Sequence, residues 1–191
     1  MLKISKEILA CWIVFLLSFT ISAIASDESA VIKDYRERVA KYVDLHKKVK
    51  NAVDPVEESA SAAVLTKQKQ QFVKMLQQER QGAAQGNIFT PGVRPIFVRI
   101  IKQHLTHPNG KKARSLILGE GNPGNKPKDG LVLKVNSPYP TTAPNSTVPP
   151  SLLLVLPQLP EELEYRFVGR NLILRDREAD LIVDFIRNAV P

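Results

Sequence analysis

Cysteine is almost absent from this chain: Cys11 is the only one in 191 residues, and it lies in an apolar run near the amino end. From Ser26 onward there is none, which excludes a disulfide framework, a cysteine nucleophile and a thiolate zinc site there. Histidine is scarce too, limited to His46, His104 and His107. Residues 91–119 contain no Asp or Glu.

Several chemical signatures are missing as well. The Gly-rich stretch 119–130 has four Gly and two Pro, which predicts a loop. It lacks the Gly-Lys-Ser/Thr that holds a nucleotide phosphate and the alternating acids of a calcium loop. No Gly-x-Ser-x-Gly elbow, His-Glu-x-x-His or paired Ser/Lys motif occurs. No cofactor is implied, and the chain leans away from an enzyme.

What is present begins at the amino end. Lys3 and Lys6 precede the apolar run 8–25, which closes on Ala23-Ile24-Ala25. A basic start, an apolar middle and a small-x-small end make a signal peptide cut between Ala25 and Ser26. The competing reading is an uncleaved anchor, because 18 residues reach the lower limit for crossing a bilayer. Ile8-Leu9-Ala10-Cys11 has the order of a lipobox, but its cysteine comes before the apolar run instead of after it. The expected location is the periplasm or the exterior of a bacterial envelope, with no transmembrane anchor after cleavage and no nucleic-acid partner.

From Ser26 the chain carries 25 basic and 18 acidic side chains, a net +7. Residues 26–90 hold 11 basic and 9 acidic groups, and residues 129–191 hold 6 and 8. The excess therefore sits in 91–128, which has eight cations against Glu120 alone. Such asymmetry points to an anionic envelope component or another periplasmic protein. Arg94, Arg99, Lys102, Lys111, Lys112 and Arg114 are the candidate binding residues. The plainer alternative is that these cations only keep the surface soluble.

Residues 28–53 read as an amphipathic helix. Ile32, Val39, His46 and Val53 recur every seven residues, and Tyr35, Tyr42 and Val49 fill the intervening spacing. Asp54-Pro55-Val56-Glu57 is a good start for a second helix reaching about Ala84, so the two form an antiparallel hairpin. Thr90 and Pro91, or else Pro95, open a third, basic helix with Ile96, Phe97, Ile100, Ile101 and Leu105 on its apolar face. A short fourth helix covers 111–118. Residues 131–136 and 151–156 read as strands, and the five-proline stretch 137–150 between them as an extended crossing.

His104 and His107 are three residues apart and can share a helix face, the spacing of some metal pairs. The remaining ligands would have to be carboxylates or His46. In residues 164–186, Asp176, Asp180 and Asp184 lie four apart and would line one face of a helix. However, three β-branched or aromatic runs separated by turn residues favour an antiparallel meander over that helix. On strands, simple alternation places Asp184 with Ile182 and Ile186, within reach of Arg166 or Arg175 across the sheet.

The segments "GAAQGNIFTP" (82–91) and "LEYRFVGRNLILRDREADLIVDFI" (163–186), with the Pro-rich stretch between them, resemble exported bacterial proteins of no assigned activity. The ending "YRFVGRNLILRD…LIVDFI" also resembles the C-terminal β-hairpin of RcnB-like periplasmic proteins, which implies nickel and cobalt homeostasis. The chain has no His-rich or Met-rich tract.

The expected architecture is α+β. A signal peptide (1–25) is followed by a helical hairpin (26–86), a basic helical segment (87–118), a Gly/Pro-rich region with one strand (119–150) and a small β-sheet unit (151–191). The expected role is a non-enzymatic binding protein. The alternatives are a metal-homeostasis accessory or a hydrolase using His104, His107 and the C-terminal acids.

Overall fold

The computed structural model describes residues 6–55, 57, 61–119, 132–140 and 148–191, with side chains from Asp27 onward, Asn109 excepted. The chain is mixed α+β, with helices followed by one three-stranded antiparallel sheet. Helix α1 runs from Lys6 to Ala52. Its stripe residues Tyr35, Val39, Tyr42, His46, Val49 and Val53 are all buried, as the seven-residue pattern requires.

Helix α2, Ala62–Glu79, packs against α1 to complete the hairpin. It begins later than Asp54-Pro55 predicts, because Ser61 is the cap and its hydroxyl accepts from Val64 N. Residues 56 and 58–60 lie outside the described residues. Phe72 and Leu76 face the core, whereas Val64 and Leu65 are exposed, so the first turns of α2 stand clear of it.

Helix α3, Val93–Thr106, buries Val93, Ile96, Phe97, Ile101 and Leu105, and the Thr90 hydroxyl reaches Val93 N. A 3-10 turn, Pro108–Gly110, leads to α4, Lys111–Leu118, which ends on Gly119 in the left-handed region. Residues 120–130 of the predicted Gly-rich loop, and Leu131 of the strand predicted after it, lie outside the described residues.

The two additional strands do not form. Residues 132–136 are not a strand; the chain meets the sheet through a Pro138–Leu181 bridge and the hydrogen bonds around it, in which Asn136 N and Tyr139 N donate to the Ile182 and Asp180 carbonyls and Ile182 N to the Ser137 carbonyl. Pro138 has no N–H to extend a ladder. Residues 150–153 form α5, a single helical turn, where Pro150 favours the first helical position. Leu152 and Leu156 face inward and Leu153–Val155 face outward, a spacing that a turn satisfies and an alternating strand does not.

The meander is present: β1 is Leu163–Val168, β2 Asn171–Asp176 and β3 Leu181–Ile186. Gly169, with φ 55°, makes the tight β1–β2 turn. One face of the sheet joins α1, α3, α4 and α5 in the main core, around Phe97, Phe167, Leu172, Leu174 and Val183. The other face is covered by Leu133, Val135 and Tyr139, which pack on Ile173, Ile182 and Phe185. A third cluster joins the carboxyl ends of α1 and α2 to Leu181 and Ala179.

Strand β3 is irregular where it matters. Leu174 pairs with Asp184 but Arg175 pairs with Ile182, so Val183 is an extra residue in a β-bulge. The bulge resets the alternation. Asp184 therefore lies on the inner face, opposite Leu174, rather than with Ile182. Arg166 and Arg175 occupy the outer face and pair with Glu164; Arg175 also reaches Asp180. The predicted Arg–Asp184 pairing does not occur, because the bulge turns these side chains to opposite sides.

Candidate functional site

The cations of 91–119 stand on α3 and α4. Arg99 pairs with Glu28 of α1. Arg94 donates to the Arg187 carbonyl at 3.4 Å and Arg114 to the Pro191 carbonyl at 3.3 Å, so these two bind the end of the chain. Lys102, Lys111 and Lys112 are exposed, and among the described residues none of them has a carboxylate partner. Neither helix contributes an acid, so among the described residues these three lysines keep their charge unanswered.

His46 and His104 take different partners. His104 is half-buried, with Nε2 3.0 Å from the Ser151 hydroxyl, and His107 is exposed at the end of α3. It is His46 that meets the C-terminal acids. Among the described residues, no group of three or more His, Asp or Glu is placed to hold a metal ion.

His46 is 1% exposed. Its Nδ1 donates to Asp176 Oδ2 at 2.7 Å, and its Nε2 faces Glu178 Oε2 at 3.3 Å. The Tyr42 hydroxyl donates to the same Asp176 oxygen at 2.7 Å. The other oxygen of Asp176 accepts from Glu178 N at 3.0 Å and Ala179 N at 2.7 Å, closing the β2–β3 turn. Four donors thus converge on one fully buried carboxylate.

Electrostatics follow the geometry. Burial opposes a charged imidazole, but the hydrogen bonds and charges of Asp176 and Glu178 outweigh it and raise the His46 pKa. Burial likewise opposes ionisation of Asp176, but donation from His46, Tyr42 and Ala179 holds its pKa below the ordinary value. Burial, and then the Asp176 charge, push the Tyr42 hydroxyl upward, so it remains a donor. The group is an ion pair with a tyrosine brace.

A cleft of about 480 Å³ opens beside it, lined in part by Lys47, Lys50, Glu162, Arg177 and Glu178. Lys47 pairs with Glu162 and Lys50 with Glu178, so the charges of the wall largely answer one another. Neither a hydroxyl nor a thiol side chain lines the cleft. Both nitrogens of His46 are engaged. The arrangement ties α1 to the β2–β3 turn.

The second buried acid does similar work. The Asp184 carboxylate accepts from Gly86 N, Ile88 N and Phe89 N at 2.8–3.2 Å, and from its own neighbour Phe185 N. Beside it, Arg80 stacks over the Tyr42 ring at 4.8 Å and donates to the carbonyl of bulged Val183 at 2.9 Å. The strand assignment therefore separates the three aspartates: Asp176 holds α1, Asp184 holds 86–89, and Asp180 is on the turn with Arg175. Sequence patterning missed Tyr42 and Arg80 as polar partners. Tyr42 on an otherwise apolar stripe one turn from His46 was the available signal. The chain matches no protein-family model, no curated protein and no solved structure.

Proposed function

We propose that this protein is exported to the bacterial envelope and acts there by binding an anionic partner through the α3–α4 face, without catalysing a reaction. The observation that carries this reading is the set of exposed Lys102, Lys111 and Lys112, which have no carboxylate partner among the described residues, on helices that contain no acid. Elsewhere Lys33, Lys47 and Lys50 each stand beside a glutamate, and Lys41, Lys48, Lys67, Lys69 and Lys74, which do not, are on helices that carry acids of their own. Uncompensated charge of one sign raises the local concentration of an opposite partner and speeds encounter. The signal-like run 8–25 supports an envelope address. The buried His46–Asp176 pair supports a structural role for the acids and the histidine most suited to chemistry.

The test is co-sedimentation with a panel of isolated peptidoglycan, anionic vesicles and neutral vesicles at low and high salt. Binding to at least one anionic member, lost at high salt and in the triple variant Lys102→Glu, Lys111→Glu, Lys112→Glu, is expected. Absence of binding at low salt, or binding indifferent to the triple reversal, overturns the reading.

A further inference from the structure

Three features collect at one end of the molecule. The first is the crossing of α3 over the amino-terminal part of α1. Gly92 lies against Val31, and Arg99 reaches Glu28. The Arg99–Glu28 pair therefore sets the middle of α3 beside the part of α1 that leads into the apolar run 8–25, while Phe97 packs on Tyr35 on the other side of the crossing. Glu28 stands only three residues, about 4.5 Å of helix, beyond Ala25.

The second feature is the position of the lysines. Lys102 is one turn beyond Arg99 on α3, and the 3-10 turn at 108–110 places Lys111 and Lys112 at the adjoining start of α4. The third is α5, held to the same end of α3 by the His104–Ser151 hydrogen bond. From the last residue of α5 the chain exposes three consecutive apolar side chains, Leu153 (41%), Leu154 (81%) and Val155 (47%), while Leu152 and Leu156 anchor it in the core. Scattered exposed leucines are ordinary, but a contiguous apolar run beside unpaired cations has the composition of a membrane-surface contact. At the far end of α1, about 30 Å away, Lys47 and Lys50 are answered by Glu162 and Glu178.

We infer that this end docks on a bilayer carrying anionic phospholipids: Leu153–Val155 enter the headgroup region while Lys102, Lys111 and Lys112 meet the phosphates. The inference rests on the binding role proposed above and names its partner. It is the same surface whether or not the Ala25–Ser26 bond is cut.

The full chain is reconstituted with vesicles of neutral phospholipid, or of neutral phospholipid mixed with phosphatidylglycerol. Lysine acetylation rates are then read by mass spectrometry, with Lys48 at the far end as internal reference. With the anionic vesicles, labelling of Lys102, Lys111 and Lys112 relative to Lys48 slows roughly fivefold, the factor that one cation near an anionic surface supplies. The exposed substitution Leu154→Glu removes most of that protection without disturbing the core. Equal rates in the two vesicle types overturn the lipid assignment. If peptidoglycan still binds in the sedimentation panel, the basic-surface reading stands without it. Protection that needs no vesicles and grows with protein concentration gives the surface to a second copy of the chain, and overturns it as well.

Discussion

His46 shows how one side chain on an apolar stripe can carry an energetic role that patterning does not reveal. Its seven-residue spacing correctly predicts burial, but nothing local predicts Asp176, which is 130 residues away. The consequences are pH-dependent. A raised folded pKa means that the contribution of His46 is fully present below about pH 6.5 and lost as the pH rises through the raised value. Asp176 has the opposite sign: its contribution holds above about pH 4 and disappears as the pH falls through its lowered value. Around the pair stand Tyr42, Lys47 and Lys50 of α1, Arg80 after α2, and Glu162 and Glu178 beside the sheet. Between about pH 6 and 9, urea midpoints of the natural chain are expected to fall as the pH rises. In His46→Gln they stay flat across that range. An equal slope in both proteins would remove the pair from the account.

At the level of elements, the β3 bulge decides what the C-terminal acids do. Alternation along LIVDFI is the correct first expectation for a strand, and it fails at Val183 because one extra residue rotates everything after it. Bulges carry no local sequence signature in this strand, so the face of Asp184 was not legible. By contrast, the strands themselves, the 111–118 helix and the α1 stripe were legible, since each follows from periodicity and turn residues alone. The short apolar run 151–156 was ambiguous for the usual reason: six residues do not separate a strand from a buried helical turn.

The bulge also creates the need that residues 80–89 fill. Without a neighbour on that side, β3 would present open backbone groups. Arg80 takes the Val183 carbonyl, Gln85 takes that of Phe185 at 3.2 Å, and Asn136 and Ser137 pair with Ile182. Asp184 anchors the covering loop through its amides. Replacing Asp184 by Asn leaves an amide group facing those donors inside the core. The expected loss is about 3 kcal/mol, since hydrogen bonds to a buried charge are stronger than neutral ones. Urea denaturation measures it; a change below about 0.5 kcal/mol, the ordinary range for surface substitutions, would show that the loop is held by other contacts.

For the whole molecule, the main core draws on residues from Tyr35 to Val190 and has no separable halves. Phe97 is its centre: fully buried, it meets the rings of Tyr35, Phe89 and Tyr165 edge-on at 5.1–6.0 Å. Phe97→Ala is expected to cost about 3–5 kcal/mol. Because helices and sheet share this cluster, the far-UV and near-UV transitions should shift together. Two separated transitions would instead mean that the helical part melts by itself.

The ties across the core also have a long reach along the chain. Tyr35 meets Tyr165, Tyr42 meets Asp176, and the 86–89 amides meet Asp184. A ribosome making this protein from its amino end delivers every one of those partners last. Until Asp176 has been added α1 lacks its carboxylate partner, and until Asp184 has been added the loop before α3 has no anchor. The pairings that must then form are distant ones, which are slow to find. Final locking therefore waits for the last strand, a timing that would suit the export proposed above.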